Sequence, residues 1–276
     1  MKLDCAGKLL NLESPVVMGV LNVTPDSFSD GGRFQSLNEA ISQAQRMLSQ
    51  GAAIIDIGGE STRPNATAVS ANEELDRVIP VIEAIHQRFD TVISIDTSKP
   101  EVMTAATVAG AGMINDVMAL RNEGALEAAL AAKVPVCLMH MQGEPRSMQK
   151  SPVYADVVND ICTFLDTRIQ ACLNAGISRD SLLLDPGFGF GKSLHHNLSL
   201  MKHLDVFKTF NLPLLVGVSR KSMLGAILNK EVNQRLAGSI ALQSLALFQG
   251  ASIIRAHDVA EAVDACKVCD AVMTAE

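Results

Sequence analysis

The sequence predicts a single α/β domain over residues 1–276, an eight-unit (β/α)8 TIM barrel with its active site at the C-terminal ends of the strands. Three observations predict it. Short β-rich apolar runs alternate with amphipathic stretches of helical spacing, which implies parallel strands joined by right-handed crossovers. Most of the runs are continuously apolar, as strands buried on both faces are. There are eight of them, at about 34 residues per unit, close to what a barrel uses.

In chain order, the first strand is expected at 16–23, followed by a polar loop and a helix at 37–50 that ends at Gly51. The second strand, 53–57, leads to a helix at 72–88, and the third, 92–95, to a helix at 100–109. Pro100 suits the first turn of that helix, and Ser98 is its expected N-cap. Strands at 113–117 and 134–139 precede helices at 122–132 and 154–175. The last three strands are expected at 182–184, 212–218 and 252–254, with a helix at 235–249. Gly51, Gly110, Gly176 and Gly250 each follow a helical stretch, where a left-handed residue commonly ends a helix. The rival is an open doubly wound sheet. It is disfavoured because Asn22-Val23-Thr24-Pro25, not G-x-G-x-x-G, follows the first strand.

Apolar residues are 48% and charged residues 19% of the chain, which fits a packed core and not disorder. A net charge of −7 argues against a nucleic-acid binder, though not against a local anion site. No apolar run is long enough for a membrane span, and Met1 opens no signal peptide, so the expected compartment is a reducing cytoplasm. Cys266 and Cys269 form C-x-x-C, but no second Cys/His pair stands at zinc spacing. They are expected to be small buried or half-buried thiols.

Nearly every apolar run ends in polar groups: Asn22, Asp56 with 60–63, Asp96, Asn115-Asp116, His140, Asp185, Ser219-Arg220-Lys221 and Arg255-Ala256-His257. In a barrel these ends share one rim. Any one of them is explained by helix capping; all eight together are not. Asp96, Asn115 and Asp185 suit the amino and N–H edges of a heterocycle. Arg63, Arg220, Lys221, Arg255 and His257 suit an anion. The long loop 24–32 reads as a lid or binding loop. Asp185-Pro186-Gly187-Phe188-Gly189-Phe190-Gly191-Lys192 reads either as a phosphate cradle or as a turn with two packing aromatics.

Residues 22–32 (Asn-Val-Thr-Pro-Asp-Ser-Phe-Ser-Asp-Gly-Gly) and 56–64 (Asp-Ile-Gly-Gly-Glu-Ser-Thr-Arg-Pro) resemble the two long signatures of the dihydropteroate synthases. Shorter motifs follow in family order: Ser94-Ile95-Asp96-Thr97, Asn115-Asp116-Val117, Met139-His140-Met141, the run 185–192, residues 217–222 and Arg255-Ala256-His257. The resemblance covers essentially the whole chain. One departure is Asn65, where the family commonly has Gly. Asn tolerates left-handed backbone better than most residues, so the loop can keep its path.

The resemblance implies an enzyme that condenses (7,8-dihydropterin-6-yl)methyl diphosphate with p-aminobenzoate, giving 7,8-dihydropteroate and diphosphate in folate biosynthesis. It implies pterin diphosphate binding by Asn22, Thr62, Asp96, Asn115, Asp185, Lys221, Arg255 and His257. Mg2+ is the implied cofactor, with Asn22 as its protein ligand. p-Aminobenzoate would lie against Phe28, Arg63, Pro64, Phe190, Ser219 and Lys221, where sulfonamides would compete. Arg255, His257, Lys221 and Asp96 are the implied catalytic groups, acting on a dissociative loss of diphosphate. The family is usually dimeric, and the apolar stretch 232–251 could face a partner or the barrel. A pterin-dependent methyltransferase would share the pterin site without needing the cations. A non-catalytic pterin-binding protein would be expected to have lost Arg63, Lys221, Arg255 or His257, all of which are present.

Overall fold

The computed structural model of the chain describes residues 1–24, 33–61, 68–143, 148–149 and 152–275. Eight parallel strands form the barrel: β3 (Val16–Asn22), β4 (Ile54–Gly58), β5 (Val92–Asp96), β6 (Met113–Asp116), β7 (Val136–Met139), β8 (Leu182–Asp185), β9 (Leu215–Val216) and β10 (Ile253–Ala256). Their order is β8-β7-β6-β5-β4-β3-β10-β9. A parallel bridge between Leu184 and Leu214 closes the ends, with Leu184 N–H donating to Pro213 O at 3.0 Å. β9 keeps only two residues of the expected 212–218 strand, and Leu214 just before it makes an isolated bridge.

The helices are α1 (Arg33–Ser49), α2 (Ala71–Arg88), α3 (Pro100–Val108), α4 (Ala125–Ala132), α5 (Val157–Asn174), α6 (Leu194–Lys202), α7 (Ser222–Leu228), α8 (Leu236–Phe248) and α9 (Val259–Met273). Ser70 and Glu73 close a capping box on α2, satisfying backbone donors that the first turn leaves open. The N-cap of α3 is Lys99, with no side-chain hydrogen bond, so the expectation of Ser98 is wrong by one residue. Gly51, Gly110, Gly176 and Gly250 have φ of 98°, 117°, 93° and 104°, as a left-handed helix stop requires. Cys266 and Cys269 are buried on the inner face of α9.

A hairpin not anticipated from the sequence precedes the barrel: β1 (Lys2–Cys5) pairs antiparallel with β2 (Lys8–Asn11). Ala6 and Gly7, both at positive φ, make its two-residue turn. Leu3, Cys5, Leu10 and Leu12 pack against one residue from each barrel strand: Met18, Ile54, Val92, Met113, Cys137, Leu183, Leu215 and Ile253. That apolar layer fills the lower barrel, and the hairpin covers it. The larger core lies between the outer strand faces and the helices, with Ile55, Ile57, Ile93 and Ile95 against Val78, Ile82 and Ile85 of α2. Both faces of the strands are therefore buried, and the open end is the C-terminal one.

Candidate active site

Side chains alternate along a strand, so residues two beyond the apolar layer also point into the barrel. They are Val20, Asp56, Ser94, Asn115, Met139, Asp185, Gly217 and Arg255. Asn22, Gly58 and Asp96 stand one step higher, in register across β3, β4 and β5. The apolar plug thus gives way to a charged floor within two residues.

Arg255 organises that floor. Its Nε donates to Asp56 Oδ2 at 2.6 Å and its Nη2 to Asp96 Oδ2 at 2.7 Å. Asn115 Nδ2 donates to the same Asp56 oxygen at 3.3 Å. Burial pushes the Asp96 carboxyl up to about 7; Arg255 pulls the other way, and the charge of Asp56 adds to the rise. Arg255 is held well above its ordinary range by Asp56 and Asp96, despite burial that works against it.

Asp185 ends β8. Its Oδ1 accepts from Gly187 N–H at 2.7 Å, and burial raises its carboxyl. The glycine-rich run that follows is a turn packed by aromatics and not a phosphate cradle. Phe188 is buried, and Lys192 Nζ is spent on His140 Nδ1 (2.9 Å), Gly187 O (2.7 Å) and Phe190 O (3.0 Å). Burial lowers Lys192 to about 7, and burial with the Lys192 charge lowers His140 to about 2. A neutral His140 that accepts at Nδ1 carries its proton on Nε2. Gly187 has φ 71°, and a Cβ there would lie 1.9 Å from His140 O, so no other residue fits. Lys221 Nζ sits 4.1 Å above the Phe190 ring, and burial together with Arg255 lowers its ammonium to about 8.

Ser219 and His257 meet beside Arg255. Ser219 Oγ accepts from His257 N–H at 3.3 Å and lies 3.1 Å from His257 Nδ1. With one lone pair so engaged, the hydroxyl proton is free to serve Nδ1, which leaves Nε2–H as a donor to ligand. Burial and Arg255 lower His257 to about 4, so at neutral pH it is a neutral hydrogen-bond donor and not the cation its sequence position suggested. An anion placed against it must raise that value. Diphosphate binding between about pH 4 and pH 6.5 is therefore expected to take up a proton. Calorimetry in two buffers of different ionisation enthalpy reads this directly. The uptake should vanish in His257→Asn, and equal heats in the two buffers for the wild type would refute it.

Some strand-end groups have structural duties. Asp116 accepts from Met118 N–H and Leu120 N–H at 2.8 and 2.7 Å, His140 serves Lys192, and Arg220 forms a two-pronged pair with Asp258. Arg220 is thereby withdrawn from the expected anion set. Asp56 is expected at the rim and Lys192 in a glycine-rich loop, but neither is among the residues assigned to a ligand. The signal for Asp56 was a carboxylate inside an otherwise apolar strand, two residues beyond the inward Ile54. Phe28, Thr62, Arg63, Pro64 and Asn65 lie outside the described residues. Both flanks of the second signature are anchored. Lys99 bridges Glu60 and buried Glu74, Glu60 Oε1 accepts from Val69 N–H at 3.2 Å, and Arg77 Nη1 donates to Gly59 O at 2.8 Å.

A barrel mouth with carboxylates, an amide and a guanidinium on its floor, and a lysine and an imidazole above, is built for a nitrogen heterocycle bearing an anion. Residues 18–257 match the family model described as pterin binding enzyme. The chain is 55% identical over 276 residues to the dihydropteroate synthase of Escherichia coli K12, covering 100% of this chain and 98% of that one. A sulfonamide complex of Yersinia pestis dihydropteroate synthase superimposes with a TM-score of 0.95 at 56% identity, covering all of both chains. The Xanthomonas albilineans enzyme in complex with 7,8-dihydropteroate does so with a TM-score of 0.92 at 48% identity, again over all of both. Fold and site define a pterin-binding barrel enzyme. The chain belongs to the dihydropteroate synthase family: a transferase that joins (7,8-dihydropterin-6-yl)methyl diphosphate to p-aminobenzoate in folate biosynthesis.

Proposed function

We propose that the pterin ring lies on the polar floor, held by Asp185, Asp96 and Asn115 on its amino and N–H edges and by Lys221 on its carbonyl side. The observation that carries this reading is the meeting of Asn115 and Arg255 at one buried carboxylate, Asp56, with Arg255 reaching on to Asp96. The diphosphate lies toward Asn22, Thr62, Arg255 and His257. p-Aminobenzoate lies nearer solvent, against Phe28, Arg63, Pro64, Phe190, Ser219 and Lys221, and a sulfonamide takes the same place.

The residues suit Mg2+. Asn22 ends β3 in register with Gly58, and its Oδ1 stands 3.8 Å from where a Cβ on that glycine would lie, so a hard oxygen donor borders bare backbone at the top of the strands. Asn22 would hold the ion, which when bound supplies positive charge to the diphosphate oxygens. The chain does the rest. Asp96 or Asp185, when ionised, places negative charge beside a ring that becomes electron-poor as the leaving group departs. Arg255 and the His257 Nε2–H stabilise charge on the departing oxygens. The aryl amine is nucleophilic when neutral, so no base is assigned to its attack. The test is a coupled assay with dihydropterin diphosphate, p-aminobenzoate and Mg2+. One diphosphate is expected per dihydropteroate, and methyl transfer to a corrinoid acceptor instead would favour the methyltransferase.

We place the enzyme in the cytoplasm, which its six free cysteines suit. A homodimer is also proposed. Ile227, Leu228, Val232, Leu236, Leu245 and Phe248 are exposed along α7, α8 and the segment between them. Sedimentation should give a dimer for the wild type and a monomer for Leu245→Lys/Phe248→Lys; a wild-type monomer at micromolar concentration would contradict it.

A further inference from the structure

Asp56 has no exposure, and its Oδ2 accepts two hydrogen bonds, from Arg255 Nε at 2.6 Å and from Asn115 Nδ2 at 3.3 Å. We infer that Asp56 is a positioning residue for pterin recognition: by accepting from the Asn115 amide nitrogen, it turns the Asn115 carbonyl oxygen toward the ligand.

A carboxylate oxygen that accepts from a guanidinium offers its other neighbour only an acceptor. The Asn115 amide facing it must present N–H, since a carbonyl there would set two acceptors against each other at hydrogen-bond distance. The amide is planar, so Oδ1 lies on the side opposite Nδ2. That oxygen is what a ring N–H or exocyclic amino group would meet. Without the Asp56 contact, the amide can rotate and show a donor to a donor. The same Asp56 oxygen fixes the Arg255 Nε, which aims Nη2 at Asp96. One buried atom therefore sets the polarity of Asn115 and the direction of Arg255, without touching ligand. Asp56 Oδ1 is buried with no hydrogen-bond partner among the described residues, so an amide nitrogen in its place would break no bond.

The inference rests on the pterin reading of the floor, and its test separates the two. The probe is oxidised 6-hydroxymethylpterin, which carries the ring without the diphosphate, titrated calorimetrically. Asp56→Ala should lose roughly a hundredfold in affinity, the scale of one or two buried hydrogen bonds. In turnover it should raise the KM for the pterin substrate and leave the KM for p-aminobenzoate unchanged. Asp56→Asn, which can keep an oxygen toward both donors, should stay within about tenfold of wild type. Asn115→Asp sets two carboxylates together and should also lose about a hundredfold. The exchange Asp56→Asn/Asn115→Asp should do no better than Asn115→Asp, because an amide nitrogen turned to the new carboxylate would also face the Arg255 Nε–H. If Asp56→Ala does not fold, Asp56→Asn decides: a loss as large as about a hundredfold would show that charge, and not the shared acceptor, is what matters, and would overturn the inference. A folded Asp56→Ala with wild-type affinity also overturns it. Failure of the wild type to bind the probe would instead overturn the pterin assignment.

Discussion

Asp185→Ala is expected to bind dihydropterin diphosphate on the order of a thousandfold more weakly than the wild type. A charge-assisted hydrogen bond contributes about 1.5–3 kcal/mol, and a carboxylate facing an amino and a ring N–H makes two. The geometry adds a second route to the loss. Asp185 Oδ1 also holds Gly187 N–H at 2.7 Å, at the root of the turn that carries Phe190 beneath Lys221. Asp185→Asn separates the two contributions. It can keep an acceptor for Gly187 while placing a donor toward the ring, so it should lose pterin affinity and retain the fold of the turn. Calorimetric titration reads both variants. Wild-type affinity in Asp185→Ala would remove the residue from the pterin site.

The second large effect is Arg255→Ala. It should slow diphosphate loss by at least about a hundredfold, the scale of removing one preorganised charged donor from a transition state. It should also lower the melting temperature, for a reason visible on the floor. Asp56 is fully buried and Asp96 largely so, and Arg255 is the cation that neutralises both. Removing one partner of a buried ion pair leaves an uncompensated charge, which costs about 3–5 kcal/mol. Asp56→Asn in the Arg255→Ala background removes one such charge and should restore part of the stability without restoring the rate. Rapid-quench measurement of diphosphate release tests the catalytic half. Release at the wild-type rate, in a variant shown to be folded and saturated with substrate, would assign Arg255 a structural duty alone.

The strands of the barrel were legible because burial on both faces leaves apolar runs and because glycines stop the helices. The hairpin at the barrel base was not. Its strands are four residues long, and inward Leu3, Cys5 and Leu10 alternate with exposed neighbours that include the apolar Leu9, a pattern too short to stand out. Alpha-helix α6 was obscured by its polar His195, His196 and Asn197, and α7 by its brevity. In the site, clustering at strand ends located the mouth but could not tell inward from outward side chains within adjacent pairs. Asn115 faces the ligand cavity while its neighbour Asp116 caps a turn; Lys221 faces it while Arg220 pairs with Asp258. Nor does sequence spacing show that Lys192 is consumed by backbone carbonyls, or that burial makes His257 neutral. Those are consequences of packing that brings residues dozens of positions apart into contact.

The claim on which the account stands is that one floor holds the pterin and one rim holds its diphosphate. The most direct test is a crystal structure with the dihydropterin diphosphate bound. The ring should lie within hydrogen-bond distance of Asp96, Asn115 and Asp185, with the Asn115 carbonyl facing it, and the diphosphate against Arg255 and His257. A ring bound away from those three side chains, or a diphosphate on the opposite side of the mouth from His257, would contradict it.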